Sequence, residues 1–218
     1  MFDSKARGGV RRYLDNVKPE EYKPSFGEVD LSELSLTGLA DLFGSDKGKI
    51  KHEYCQIYEK ILDDLIPAGS RKTAELNIVE YGVACGASLR MWANYLPKSN
   101  IFGIDIRDDC KTICSDVDNV SISILDVTKK SAASFLGDKG AFDLIIDDGL
   151  HYQLSNLNTL LFAMNNLKIG GFFIIEDIGI WTIDTWKIVS RVLPKNFDSH
   201  IIEMTDTNFV FLLHKKFS

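Results

Sequence analysis

Two acidic clusters in this chain each follow directly on an apolar run. Phe142-Asp143-Leu144-Ile145-Ile146 leads into Asp147-Asp148-Gly149-Leu150-His151, and Gly171-Phe172-Phe173-Ile174-Ile175 leads into Glu176-Asp177. In a parallel α/β sheet the carboxyl ends of neighbouring strands open on one crevice. Carboxylates and an imidazole gathered there offer hard oxygen ligands for a divalent cation, with a base beside them. Taken alone, Asp-Asp-Gly-x-His suits a helix start better, because Asp caps helices and a histidine can bond the turn. The acidic pair that ends the next apolar run is what favours the metal. Asp147 and Asp148 point to opposite sides if the strand continues through them, so the residues alone do not choose between them.

A second constellation lies upstream, in Glu80-Tyr81-Gly82-Val83-Ala84-Cys85-Gly86-Ala87-Ser88. Gly82 and Gly86 suit a sharp loop after a strand, where the backbone approaches a ligand with no Cβ in the way. The dinucleotide fingerprint G-x-G-x-x-G is absent, since Ala84 stands at its second glycine, and this disfavours a dehydrogenase. Asp105 ends the next apolar run, where such folds place a carboxylate for ribose hydroxyls. Asp126 ends the one after, within reach of an adenine amine. Either acid alone also suits a turn after a strand.

The elements needed to hold these residues are legible in the apolar pattern. Strand-like runs at Leu76–Tyr81, Ile101–Ile106, Val120–Leu125, Phe142–Ile146 and Phe172–Ile175 alternate with helix-like segments at Ala87–Tyr95, Asp109–Asp116, Ser131–Phe135 and Leu154–Leu167. That alternation predicts a parallel sheet covered by helices on both faces. Earlier helices are expected around Leu36–Phe43, ended by Gly44, and from Tyr54 to Leu65, ended before Pro67. A helix near Ile183–Leu193 and two runs, His200–Met204 and Phe209–His214, close the chain; the short turn between the runs permits only an antiparallel hairpin. Phe209–Leu213 is apolar on both faces, as an inserted central strand requires. Residues 1–34 read as an irregular arm with one short helix, and 35–218 as a single domain.

With 218 residues, a formal charge of −6 and no Lys/Arg run, the chain is not expected to bind nucleic acid; Lys5, Arg7, Arg11 and Arg12 read as a solvated helix face. No apolar stretch reaches the ~20 residues that cross a bilayer, and the N-terminus lacks a signal-peptide core. Cys55, Cys85, Cys110 and Cys114 lack zinc spacing, so a cytoplasmic protein with reduced thiols and no membrane partner is expected.

The layout resembles the Rossmann-like class I methyltransferases: an α/β fold with a mostly parallel seven-stranded sheet, helices on both faces and a C-terminal antiparallel hairpin. A narrower resemblance rests on Ser45-Asp46-Lys47-Gly48, His52, Tyr54, Tyr58-Glu59, Ser88-Leu89-Arg90-Met91-Trp92, Phe102-Gly103-Ile104-Asp105, Ile146-Asp147-Asp148-Gly149-x-His151 and Ile175-Glu176-Asp177. In order and spacing these blocks resemble the macrocin and mycinamicin sugar O-methyltransferases. The resemblance implies magnesium-dependent methyl transfer from S-adenosylmethionine to a sugar hydroxyl. By it, Asp148, Glu176 and Asp177 would hold the metal and His151 would be the general base. Tyr58, Glu80, Gly82, Gly86, Ser88, Asp105 and Asp126 would form the donor site, while Lys47 and Tyr54 receive no role. Homo-oligomers are common in that family. Leu150 stands where the family motif has a small residue, and few residues separate Asp177 from the next helix, so the acceptor is left open. A catechol-type O-methyltransferase and a non-catalytic nucleotide-binding protein of the same fold are the competing readings.

Overall fold

The computed structural model describes residues 30–129 and 142–216. The arm's expected short helix and basic face, and the helix expected at Ser131–Phe135, lie outside the described residues. Seven strands form one sheet: β1 (Asn77–Tyr81), β2 (Asn100–Asp105), β3 (Val120–Ile124), β4 (Phe142–Asp147), β5 (Leu167–Gly179), β6 (Phe197–Thr205) and β7 (Asn208–Lys215), in the order β3-β2-β1-β4-β5-β7-β6. The first five are parallel, and β7 enters antiparallel between β5 and β6. This is the expected fold, with the doubly apolar β7 inside the sheet.

Among the described residues five α-helices flank the sheet: α1 (Leu36–Phe43), α2 (Cys55–Leu65), α3 (Ala87–Tyr95), α4 (Gln153–Asn166) and α5 (Ile183–Val192). Local chemistry sets their ends. Ser35 accepts a hydrogen bond from the Gly38 N–H at 3.0 Å to start α1, and Gly44 closes it at φ 74°. Pro67 and Pro97 follow the last residues of α2 and α3, where no helix can continue.

Strand parity then divides the core into two layers. Ile78, Leu144, Ile146, Phe172 and Ile174 face α1, α2 and α3, whereas Val79, Tyr81, Ile145, Phe173 and Ile175 face α4 and α5. Each fully buried aliphatic or aromatic side chain contributes roughly 1.5–3 kcal/mol of apolar burial, so the alternation fixes register strongly. Parity also assigns the polar strand residues. Glu80 and Glu176 fall on the α1–α3 side, and Asp147 falls on the α4 side.

Two expectations are corrected. The helix expected at Asp109–Asp116 is a 3-10 segment, Asp108–Thr112, because Ile113 is extended and Cys114 takes a positive φ of 63°. Strand β5 runs well beyond Phe172–Ile175 in both directions. A Cβ at Gly171 would stand 3.0 Å from the Phe142 and Lys168 carbonyl oxygens, so the glycine serves close backbone approach within the sheet.

Candidate active site

Asp147 ends β4 on the α4 side, buried, and accepts hydrogen bonds from Asn156 Nδ2 at 2.9 Å, from the Thr159 hydroxyl and from the Gly149 N–H. Burial raises its pKa despite these donors. It anchors the start of α4 to the sheet. Asp148, one residue on, emerges on the opposite side, so parity makes the choice that the sequence left open.

Glu176 and Asp177 lie where β5 shifts register against β7 between Ile175 and Ile178. The pairing skips two residues on β5, Glu176 and Asp177, for one on β7, Val210, a β-bulge. In a regular strand two successive side chains would face opposite ways. The extra residue, with Asp177 at φ 55°, lets both carboxylates serve one side. His151 is also left-handed, at φ 50°, and sits before α4 begins. Two non-glycine residues held in this sparse region at one site signal preorganisation.

The side chains form two tiers. In the outer tier His151 Nε2 lies 3.9 Å from Asp148 Oδ1 and 3.8 Å from Asp177 Oδ2, and the three residues can each turn one ligand atom to within 4.8 Å of the others. Asp177 Oδ1 is occupied, accepting from the Tyr54 hydroxyl at 2.6 Å and Asn208 Nδ2 at 2.9 Å, which leaves Oδ2 toward His151. Burial opposes the Asp177 charge, but the Tyr54 hydrogen bond, His151 and Asn208 outweigh it and lower the pKa. In the inner tier Lys47, fully buried, donates to Asp148 Oδ2 at 2.5 Å and Glu176 Oε2 at 2.7 Å and lies 3.7 Å from Glu80 Oε1. The Tyr58 hydroxyl donates to Glu176 Oε1. Burial alone would lower the Lys47 pKa, yet Asp148, Glu176 and Glu80 hold it well above the ordinary lysine value. Glu176 is driven well above the ordinary carboxylate range by burial, against the pull of Lys47.

The residues fit a divalent cation in the outer tier. Two carboxylate oxygens converge at its opening, with the His151 imidazole beside them and sides free for water or substrate oxygens. Glu176, expected as a third ligand, has each oxygen already accepting a hydrogen bond and stands behind Asp148.

The glycine loop abuts this site. A Cβ on Gly82, at φ 97°, would come within 2.0 Å of the Asp148 carbonyl oxygen, and the Asp148 N–H donates to the Tyr81 carbonyl at 2.9 Å. A Cβ on Gly86 would meet Ile113 Cγ2 at 2.4 Å. Both glycines are therefore required by the chain's own packing, besides any ligand. Asp105 Oδ2 accepts from the Val83 and Ala84 N–H groups at 2.8 and 3.2 Å, and Oδ1 from the Arg107 N–H at 3.0 Å, which shapes the loop. Its oxygens retain lone pairs for ribose hydroxyls, and the carboxylate is only part-buried. Asp126, also part-buried, accepts from the Thr128 N–H at 3.0 Å. These two acids at successive strand ends fit a nucleoside. Of Glu80, Ser88 and Tyr58, expected to line the donor site, Glu80 accepts from Ser88 at 2.5 Å and from Trp92 Nε1 at 2.8 Å, beneath the loop, and Tyr58 reaches Glu176.

Sequence reasoning missed Asn208, which looked like a turn residue, and gave Lys47 and Tyr54 no role. A lysine among small polar residues carries no burial signal, and only the fold brings it under the two strand ends.

No family model matches the chain. A curated relative from Streptomyces olivaceus, 8-demethyl-8-alpha-L-rhamnosyl tetracenomycin-C 2'-O-methyltransferase, is 32% identical over 151 residues, 66% of this chain and 37% of the relative. Mycinamicin VI 2''-O-methyltransferase of Micromonospora griseorubida is 30% identical over 165 residues, 70% of this chain and 36% of the relative. The chain thus spans little more than a third of the length of the curated relatives it matches. A crystal structure of a methyltransferase from the mycinamycin biosynthetic pathway, in complex with Mg and SAH, superimposes with a TM-score of 0.67 at 21% identity, covering 84% of this chain and 55% of that one. At that identity the likeness establishes the fold.

Proposed function

The chain belongs to the family of the macrocin and mycinamicin sugar O-methyltransferases, and on that footing we propose that it transfers a methyl group from S-adenosylmethionine to a hydroxyl of a sugar, with a divalent cation such as Mg²⁺ at the acidic site. The observation that carries this reading is the convergence of Asp148, His151 and Asp177 beside a glycine loop whose backbone touches Asp148.

Asp148 and Asp177 would hold the cation, with Glu176 behind them as support; Asp105 and Asp126 would take the nucleoside of the donor. Bound there, the donor supplies an electrophilic sulfonium methyl and the cation lowers the pKa of an acceptor hydroxyl. His151 Nε2 accepts the hydroxyl proton as the oxygen forms its bond to the methyl carbon. The carbon–sulfur bond breaks with its electron pair kept on sulfur, leaving a neutral thioether. His151, 39% exposed at the opening, can pass the proton to water. The Trp181 indole, 83% exposed, lies against Gly179, two residues beyond Asp177. It offers the acceptor a flat face on which the C–H side of a sugar ring can stack.

The test is methyl transfer from S-adenosylmethionine to a panel of glycosides and catechols, with Mg²⁺ or with chelator. Glycoside methylation that chelator abolishes is the expected result. Methylation of catechols alone would move the chain to an aromatic acceptor, and a failure to bind S-adenosylmethionine in calorimetry would refute the reading.

A further inference from the structure

Building on the proposed acidic metal site, we infer that Lys47 is its resident counter-cation: a fixed internal charge that lets Glu80 and Glu176 be buried beside the part-buried Asp148 before any divalent ion arrives, and that limits how tightly the site holds one. Three carboxylates, Glu80, Asp148 and Glu176, meet within hydrogen-bonding or ion-pairing distance of one Lys47 Nζ. Lys47, Glu80 and Glu176 are essentially inaccessible to solvent. Carboxylates taken out of water are costly unless paired, and a buried ion deprived of its partner costs several kcal/mol.

The position of Lys47 is itself over-determined. Its N–H and carbonyl are fixed within the Ser45–Cys55 segment, by Ser45 Oγ at 3.4 Å and by the Cys55 N–H at 3.0 Å. The main chain thus starts the side chain beneath the strand ends, and the ammonium is held there by Asp148 and Glu176. It binds Asp148 through Oδ2 while Oδ1 faces His151 and Asp177, so one carboxylate is shared between the internal cation and the outer position. A charge this close on the same carboxylate weakens the hold of the outer position on a second cation.

A double-mutant cycle and a metal titration test this on the full chain. In metal-free buffer Lys47→Met should lower the melting temperature. Lys47→Met combined with Glu176→Gln, which removes the charge that Lys47 balances while keeping an acceptor for Tyr58, should recover at least half of the loss. A double variant no more stable than Lys47→Met, or one that does not fold, overturns the inference. Should Lys47→Met alone fail to fold, a folded double variant is itself the expected rescue. In calorimetry with Mn²⁺, Lys47→Met should bind about tenfold more tightly than the wild type; unchanged or weaker binding would make Lys47 an orienting hydrogen-bond donor and overturn the charge-limiting role. Absence of Mn²⁺ binding to the wild type would refute the metal reading, and the metal-free cycle would then decide Lys47 on its own.

Discussion

At the scale of single residues, the site separates groups that face the crevice from groups that hold them. His151 faces it. Replacing it by Ala should lower kcat about 10²- to 10⁴-fold, the usual worth of a general base, while S-adenosylmethionine binding measured by calorimetry is unchanged; near-wild-type turnover would remove the imidazole from the chemistry. Tyr54 holds: its hydroxyl donates to the Asp177 oxygen turned away from His151. Since the Asp177 pKa is lowered on folding, this stabilisation is fully present well above the ordinary value of 3.8 and lost as pH falls below it. Tyr54→Phe should therefore cost about 1 kcal/mol at neutral pH, and denaturant unfolding curves should show the gap closing in acid. A pH-independent gap would mean that the lost contact is packing. Asp177, His151 and the Asp147-Asp148 pair were legible in the sequence as polar residues released from apolar runs, though not which of the pair faces the crevice. Lys47 and Asn208 were not, because a single chain carries no mark of which distant polar residue will meet a carboxylate.

At the scale of elements, the site depends on two local departures from regularity. The bulge in β5 turns Glu176 and Asp177 to a common side, and the left-handed Gly82 lets the β1 loop lie against the backbone of Asp148. Gly82→Ala forces a Cβ into the Asp148 carbonyl at an unfavourable φ, so it should destabilise by about 2 kcal/mol or more. Divalent-ion affinity should fall together with donor affinity, because both loops must shift; an effect on donor binding alone would show that the loops are independent. The strand ends marked the loops correctly in the sequence. The bulge was hidden there, since Glu176-Asp177 after an apolar run reads simply as the end of a strand.

At the scale of the whole molecule, seven strands bring the carboxyl ends of β1, β2, β3, β4 and β5 to one side of the sheet, and β7 delivers Asn208 to Asp177 from the antiparallel hairpin. A donor bound only by the folded state stabilises all of it: at a hundred times its Kd, S-adenosylmethionine should add about 2.7 kcal/mol and raise the melting temperature by roughly 5–10 °C. The rise should persist in His151→Ala, and its absence from both proteins would refute the donor site. The sequence by itself determined the layered α/β fold, the hairpin and the strand-end acids, because burial imposes a period of two on strands and a longer one on helices, and both are written in the order of apolar residues. Only the tertiary structure decided that Asp147 supports α4 while Asp148 faces the crevice, that Glu80 and Glu176 turn inward, and that Lys47 stands among three carboxylates. Those outcomes depend on strand parity carried to its last residue, on one bulge, and on contacts between segments more than a hundred residues apart, which no local pattern encodes.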